Sequence, residues 1–414
     1  MQLTDEESAI LDGDHGDLLA EVLREQLQVG EFFDAERFVT VTNAHFMGDR
    51  EVFGEAGQTY LQRLASGGLR VRVPTTRNAQ SVDFEYAGLF AQSRELVDNE
   101  KKVRLILREL GVSVLNTCIP YQSVYQPRFG ESVAWGDTGT VAYANSVLGA
   151  RTNYESGAAG LAAALTGRTP AYGFHLDDVR RGNVRVRVSA DMRDLADWGA
   201  LGAVIGERCR GYWNVPVIEV ADHPPTGDEL KHLGASMASF GSMAMYHVVG
   251  VTPEAATFER ANQGRELSDD FEVRQSDIDE MFSRDLAEGG PIDLVVFTAP
   301  QLSYFEMKHI ADALEGRSVA DGVRLIITTN AMQCRGLEED GHLAAIRDAG
   351  GIVLQGTCWY VMDPSAQREH FGWQRLVTNS AKLVNIIRAH GYQPALRRFD
   401  DCIEAALTGS LTAR

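Results

Sequence analysis

The hydrophobic pattern alternates between two periods along most of the chain. Thr4 with Glu7 forms a capping-box signature that opens a helix ending near Gly13. Leu18, Leu19, Val22, Leu23 and Leu27 then mark one face of a second helix, 17–30. The run from Arg37 reads as a buried strand ending at Asn43, Ala44 and His45, and helix 58–66 leads to an alternating strand over 69–73. Helix 97–110 precedes a strand, 112–116, that delivers Cys118. Segments 140–148 and 158–166 are apolar and read as helices. A new series starts at 184–188 and continues with helix 194–206, strand 215–220, helix 226–240 and strand 245–251. Short apolar runs at 293–297, 324–328 and 351–355 complete the pattern. Strands alternating with helices predict an α/β architecture with parallel sheets. The charged stretch from Gly264 to Ser283 is the expected mobile segment or lobe junction, and sub-lobes are expected at about 1–180 and 181–414.

Composition narrows the partners. The 414 residues carry a net charge of −19, which would be repelled by nucleic acid and by an anionic membrane surface. The acidic N-terminus lacks a signal pattern and no run is long enough for a membrane span, so a cytoplasmic location is expected. Cysteines at 118, 209, 334, 358 and 402 are odd in number and far apart, a poor disulfide framework. Lysine occurs only at 101, 102, 231, 308 and 382.

Polar groups just past strand ends are where open α/β sheets keep their sites. Asn43 and His45 occupy one such exit, and Thr75, Thr76 and Asn78 a second, where they would bind substrate oxygens or cap the next helix. Cys118, Cys334 and Cys358 follow three strands; they converge on an iron–sulfur cluster or are small buried apolar residues. Arg151 with Asn145 and Asn153 can hold a carboxylate through a planar fork of donors, or Arg151 pairs with an internal acid. His45 and His175 are acid–base candidates, or structural. Glu131 reads as a tether for Arg128. Nucleotide-binding and α/β-hydrolase motifs are absent from the sequence.

The stretch from Thr117 to Asp178 gathers most of these groups. It resembles the catalytic core of the aconitase X family, hydro-lyase relatives of aconitase, through C-x-P-Y at Cys118 to Tyr121 and PRFGE at Pro127 to Glu131. ANSVLGART-N at Ala144 to Asn153 and TGRTP-YG-HLD at Thr166 to Asp177 extend the likeness. The resemblance implies an aconitase-like large subunit with parallel-sheet α/β/α lobes around a central cleft. It implies a 2Fe-2S or 4Fe-4S cluster with Cys118 and Cys358 as ligands, and catalytic or substrate roles for Tyr121, Asp137, Ser146 and Lys382. The family's third cysteine falls where this chain has Ala299, and its histidine where this chain has Gln301, leaving Cys334 as the candidate third ligand. The family's AWAESS is here Ala134-Trp-Gly-Asp-Thr-Gly, with Asp137 keeping a shorter carboxylate. Because the chain stops at Arg414, the resemblance implies a separate small swivel-domain subunit that completes the site and contributes a serine. The implied reaction is dehydration of a small hydroxy acid: foremost cis-3-hydroxy-L-proline, alternatively phosphomevalonate. A reading of another class is a cluster-free binding or scaffold subunit, motivated by Ala299, Gln301 and Gly139.

Overall fold

A computed structural model describes residues 1–221, 223–284 and 289–412, without the side chains of 50–52. Three parallel sheets organise it, each at the heart of one lobe; in chain order these are the first, the second or middle, and the third lobe. The first has strands Thr75–Arg77, Ala44–Phe46 and Ala134–Trp135 in that order. The helices Asp17–Phe32, Arg94–Glu109 and Ala158–Thr166 contribute apolar faces to its core, including Leu23, Leu107 and Leu161. The second sheet runs His247–Val248, Pro216–Val220, Val184–Val188, Asp269–Val273. The third, five-stranded, places Leu294–Phe297 at its centre between Arg324–Thr329 and Arg375–Thr378, with Ile352–Gln355 and Gln393–Leu396 outermost.

Small residues decide how tightly the middle lobe packs. Helices Leu195–Cys209 and Gly227–Gly241 approach so closely that a Cβ on Gly202 would lie 2.4 Å from the Leu233 carbonyl oxygen. A Cβ on Gly241 would lie 2.5 Å from the Gly206 oxygen. Helix Ala381–Ile387 packs against both, joining the third lobe to the second.

Several expected boundaries move. Segment 69–73 keeps its alternation of half-buried apolar and exposed arginine positions but forms no ladder; Val71 and Arg72 bond instead to Leu110 and Ala164. His45 lies inside the strand Ala44–Phe46, not beyond its end. The stretch from Gly264 to Ser283 is ordered: Asp269–Val273 is an edge strand whose charged residues face outward, followed by helix Gln275–Ser283. Of 245–251 only His247–Val248 pairs. No helix among the described residues is long and apolar enough to cross a membrane.

Candidate active site

The first and third sheets meet at their strand exits. Gln80 bridges to Thr357, and the segment carrying Cys118 runs beside the first sheet, with the Thr117 N–H donating to the Arg77 carbonyl at 3.2 Å. This brings Cys118 and Cys358 into one cluster with Asp137 and Lys382, in which Cys118 and Asp137 are buried and Cys358 and Lys382 partly so. The Cys118 thiol is pushed up to about 12, first by burial and then by the charges of Asp137 and Cys358. Burial also raises Cys358, while Lys382 and a hydrogen bond from Thr298 Oγ1, 3.8 Å from its sulfur, act the other way. Both groups are therefore thiols at neutral pH, not thiolates.

Asp137 precedes helix Thr138–Ser146. Its Oδ2 accepts from Thr140 at 3.2 Å, and Thr140 Oγ1 also donates to the Cys118 carbonyl at 2.8 Å. Lys382, one residue into its helix, donates to Thr138 Oγ1 at 2.6 Å and lies 3.9 Å from Asp137 Oδ1. His45 is fully buried; its Nδ1 is 2.7 Å from Thr76 Oγ1 and its Nε2 has no partner among the described residues. Desolvation lowers this imidazole to about 4 against the opposing charge of Asp137, so the ring is neutral. Tyr121 stacks on Tyr143 at 3.9 Å and its buried hydroxyl also lacks a partner, as does Asn78 Oδ1. Burial raises the Tyr121 phenol well above its usual range, keeping it protonated.

Other expected site residues serve the scaffold. Asn145 binds the Thr152 backbone on both sides and the Ala244 carbonyl. Asn153 accepts from the Phe174 N–H and donates to the Tyr172 carbonyl. Ser146 Oγ accepts from the Tyr246 N–H at 2.9 Å. Asn43 accepts from the Trp135 indole at 2.8 Å, and Thr75 donates to the Val73 carbonyl at 2.8 Å. Arg151 pairs with Asp177 and donates to the His175 carbonyl, the internal-acid alternative. His175 is buried 3.8 Å from Glu155, and neither ring nitrogen has a hydrogen-bond partner among the described residues. Glu131 does tether Arg128, accepting its N–H at 2.8 Å.

Cys334 is a correction. It lies in helix Ala331–Glu339, packed in the third lobe's core with Leu337 and Ile346, and its charged neighbours are Arg347, Asp83 and Glu338. The strand before it ends at Thr329, and the helix turns the cysteine beneath the sheet. Among the described residues no group of three His, Cys, Asp or Glu side chains is arranged to hold a metal. A cluster anchored by three cysteines therefore does not fit the residues present.

Sequence reasoning missed Thr298, and gave Gln301, Lys231 and Glu306 no role. Ser303-x-x-Glu306 was a legible capping box, and Glu306 does cap the helix Tyr304–Leu314. It also pairs with Lys231 and lies 3.0 Å from His232 Nε2, interactions that spacing alone does not show.

Lobes built on parallel sheets meeting over two thiols, a carboxylate, a lysine and a neutral imidazole make a centre equipped for acid–base chemistry. The comparisons agree. The profiles of the aconitase X first, second and third domains match residues 1–178, 182–283 and 292–408. The chain is 32% identical to the phosphomevalonate dehydratase large subunit of Thermococcus kodakarensis, covering 98% of this chain and 100% of that one. It is 32% identical to the cis-3-hydroxy-L-proline dehydratase of Pseudomonas aeruginosa, over 97% of this chain and 69% of that one. A crystal structure of Thermococcus kodakaraensis aconitase X in its holo-form superposes with a TM-score of 0.87 at 30% identity, covering 98% of this chain and 100% of that one. The chain belongs to the aconitase X family, and is a hydro-lyase.

Proposed function

We propose that this hydro-lyase dehydrates cis-3-hydroxy-L-proline to a Δ1-pyrroline-2-carboxylate. The observation that carries this reading is the charge of the cluster. Lys382 is the cation beside the cysteines, with Asp137 3.9 Å away. Among the other buried cations, Lys231 is matched by Glu306 and Asp228, Arg77 by Glu100, Arg168 by Glu6 and Glu7, and Arg180 by Glu254. One lysine and one carboxylate complement a zwitterionic amino acid, whereas a phosphorylated hydroxy acid would bring more negative charge than Lys382 balances.

In this reading Lys382 holds the substrate carboxylate and Asp137 the ring ammonium. Thr76 and Asn78 line the same exit and take substrate oxygens. His45 removes the C2 proton at Nε2, with its Nδ1–H donating to Thr76; neutrality is what makes the lone pair available. Tyr121, protonated and without a partner among the described residues, donates to the departing 3-hydroxyl. The C2–H and C3–O bonds break, water leaves, and the resulting enamine tautomerises to the imine.

A small swivel-domain subunit completes the cleft; relatives of this length named large subunits support that partner. A cytoplasmic location accords with the absence of a spanning helix among the described residues. A second reading, phosphomevalonate dehydration, is favoured by one observation: relatives so named match the chain over 92–100% of their length, whereas the Pseudomonas aeruginosa proline enzyme is matched over 69%. The test is an anaerobic assay of the chain co-expressed with its small subunit, with iron and sulfide measured on the same sample. A pyrroline product from cis-3-hydroxy-L-proline is expected. Turnover of phosphomevalonate alone would overturn the first reading in favour of the second. Folded protein with neither turnover nor metal would support the scaffold alternative.

A further inference from the structure

A pair of thiols, one buried and one partly buried, with no third cysteine beside it among the described residues, needs something else to fix its geometry. We propose that Gln301 is the positioning residue that ties the Cys118 and Cys358 segments into a single two-thiol site. The proposal rests on the cysteine pair being part of the dehydratase centre.

Gln301 is fully buried, yet every polar atom it owns is used. Its Oε1 accepts from the Cys118 N–H at 3.3 Å, and its own N–H donates to Cys118 Sγ at 3.2 Å. Its Nε2 donates to the Asn116 carbonyl at 3.3 Å and to the Thr357 carbonyl at 3.0 Å. A glutamine side chain offers one carbonyl oxygen and two N–H donors, so the amide is fully committed. All four bonds end on the two segments that carry the cysteines, which are otherwise more than two hundred residues apart in sequence. Three residues earlier in the same turn, Thr298 Oγ1 reaches Cys358 Sγ. One short segment, 298–301, thus touches both sulfurs.

The clamp is itself anchored. The Gln301 carbonyl accepts from the fully buried Lys231 at 3.4 Å. Lys231 pairs with Glu306 and lies 3.1 Å from Asp228, whose other oxygen accepts from Ser303 at 2.7 Å. Buried ions are retained only when closely paired, and removing one partner strands the other. This group fixes helix Gly227–Gly241 of the middle lobe against helix Tyr304–Leu314 of the third. The position of Gln301, and through it of both thiols, follows from how those lobes dock.

The test uses Gln301→Met, which keeps volume and removes the amide, and Gln301→Glu, which keeps the acceptor for Cys118 but turns an oxygen toward two carbonyls. Gln301→Asn, one methylene shorter, serves if either fails to fold. The probe is phenylarsine oxide, which joins two neighbouring thiols through one arsenic with loss of water, added to the reduced full chain, with the urea midpoint as the check on folding. The wild type should take up the arsenical, and the uptake should be lost in both Cys118→Ser and Cys358→Ser. The Gln301 variants should lose at least half of it while remaining folded. In the holoenzyme complex they should lower kcat by about 10–100-fold, the effect of misplacing Tyr121, which follows Cys118 on the clamped segment, with KM within about twofold. Gln301 variants that take up the arsenical through both cysteines as the wild type does would overturn the proposal. So would a wild type that takes up none, or uptake that survives loss of either cysteine. Absence of turnover with intact two-cysteine uptake would count against the substrate reading and leave the role of Gln301 standing.

Discussion

His45→Gln should make the protein less sensitive to acid in a defined window. The folded chain holds this imidazole at about 4, with burial as the first cause, whereas an unfolded histidine titrates near 6.5. Between those values the unfolded chain binds the proton and the folded chain does not. Stability therefore falls as pH drops from 6.5 toward 4, and is restored above 6.5. At ~1.36 kcal/mol per pH unit, the gap makes His45 responsible for about 3 kcal/mol of acid destabilisation once pH reaches 4. Glutamine cannot take up that proton, and its amide can replace the contact to Thr76. His247 is also lowered by burial and adds to acid sensitivity below 6.5, so the quantity to measure is the difference between variant and wild type. Glu306, held at about 2 by Lys231 and His232 against its burial, loses its contribution below the usual carboxylate range of 4.5, a lower window. The assay is the urea midpoint at half-unit steps from pH 7.5 to about 4. The variant's curve should run flatter than the wild type's, by about 3 kcal/mol over the interval. Parallel curves would refute the neutral, desolvated imidazole, and with it the assignment of His45 as the base.

Lys382→Met removes the cation beside Asp137 and should lower kcat/KM by roughly 10–100-fold, the worth of a charge-assisted hydrogen bond to substrate, in steady-state kinetics. Ser146→Ala leaves the buried Tyr246 N–H without its acceptor; it should cost about 1–3 kcal/mol in denaturant unfolding while leaving KM unchanged. Cys334→Ala should leave kcat/KM within about twofold and lower the melting temperature by a few degrees at most, because the thiol is a small packing group in the third-lobe core. Arg151→Gln breaks a partly exposed pair with Asp177 and should likewise leave kcat/KM within about twofold, with a stability change near 1 kcal/mol or less.

Local signals read well where local physics decides. The Thr4/Glu7 capping box, the helix Ala158–Thr166 and the alternating strand Val184–Val188 all stand where their patterns place them. Strand 69–73 failed because alternation reports which side faces a core, not whether a neighbour completes the ladder. The charged run before Ser283 proved to be an edge strand and helix, since an edge strand carries charges on its open face as readily as a loop does. At the site, His45, Thr76, Asp137, Lys382, Cys118 and Cys358 do come together. Asn145, Ser146 and Asn153 looked equally chemical but spend their polar atoms on buried backbone. Sequence cannot separate these two uses, because a buried N–H and a substrate oxygen ask for the same residue types. Cys334 was misplaced for a related reason. Position after a strand was legible, but which side of the sheet the following helix turns to was not.

The most direct test of the account is the ratio of kcat/KM for cis-3-hydroxy-L-proline to that for phosphomevalonate, measured anaerobically on one preparation of the chain with its small subunit. A single lysine matched to a single carboxylate predicts a ratio of about 10³ or more in favour of the amino acid, from leaving phosphate charges unmatched in a buried site. A ratio below one would contradict it, and would mean that the cleft obtains its missing positive charge from elsewhere.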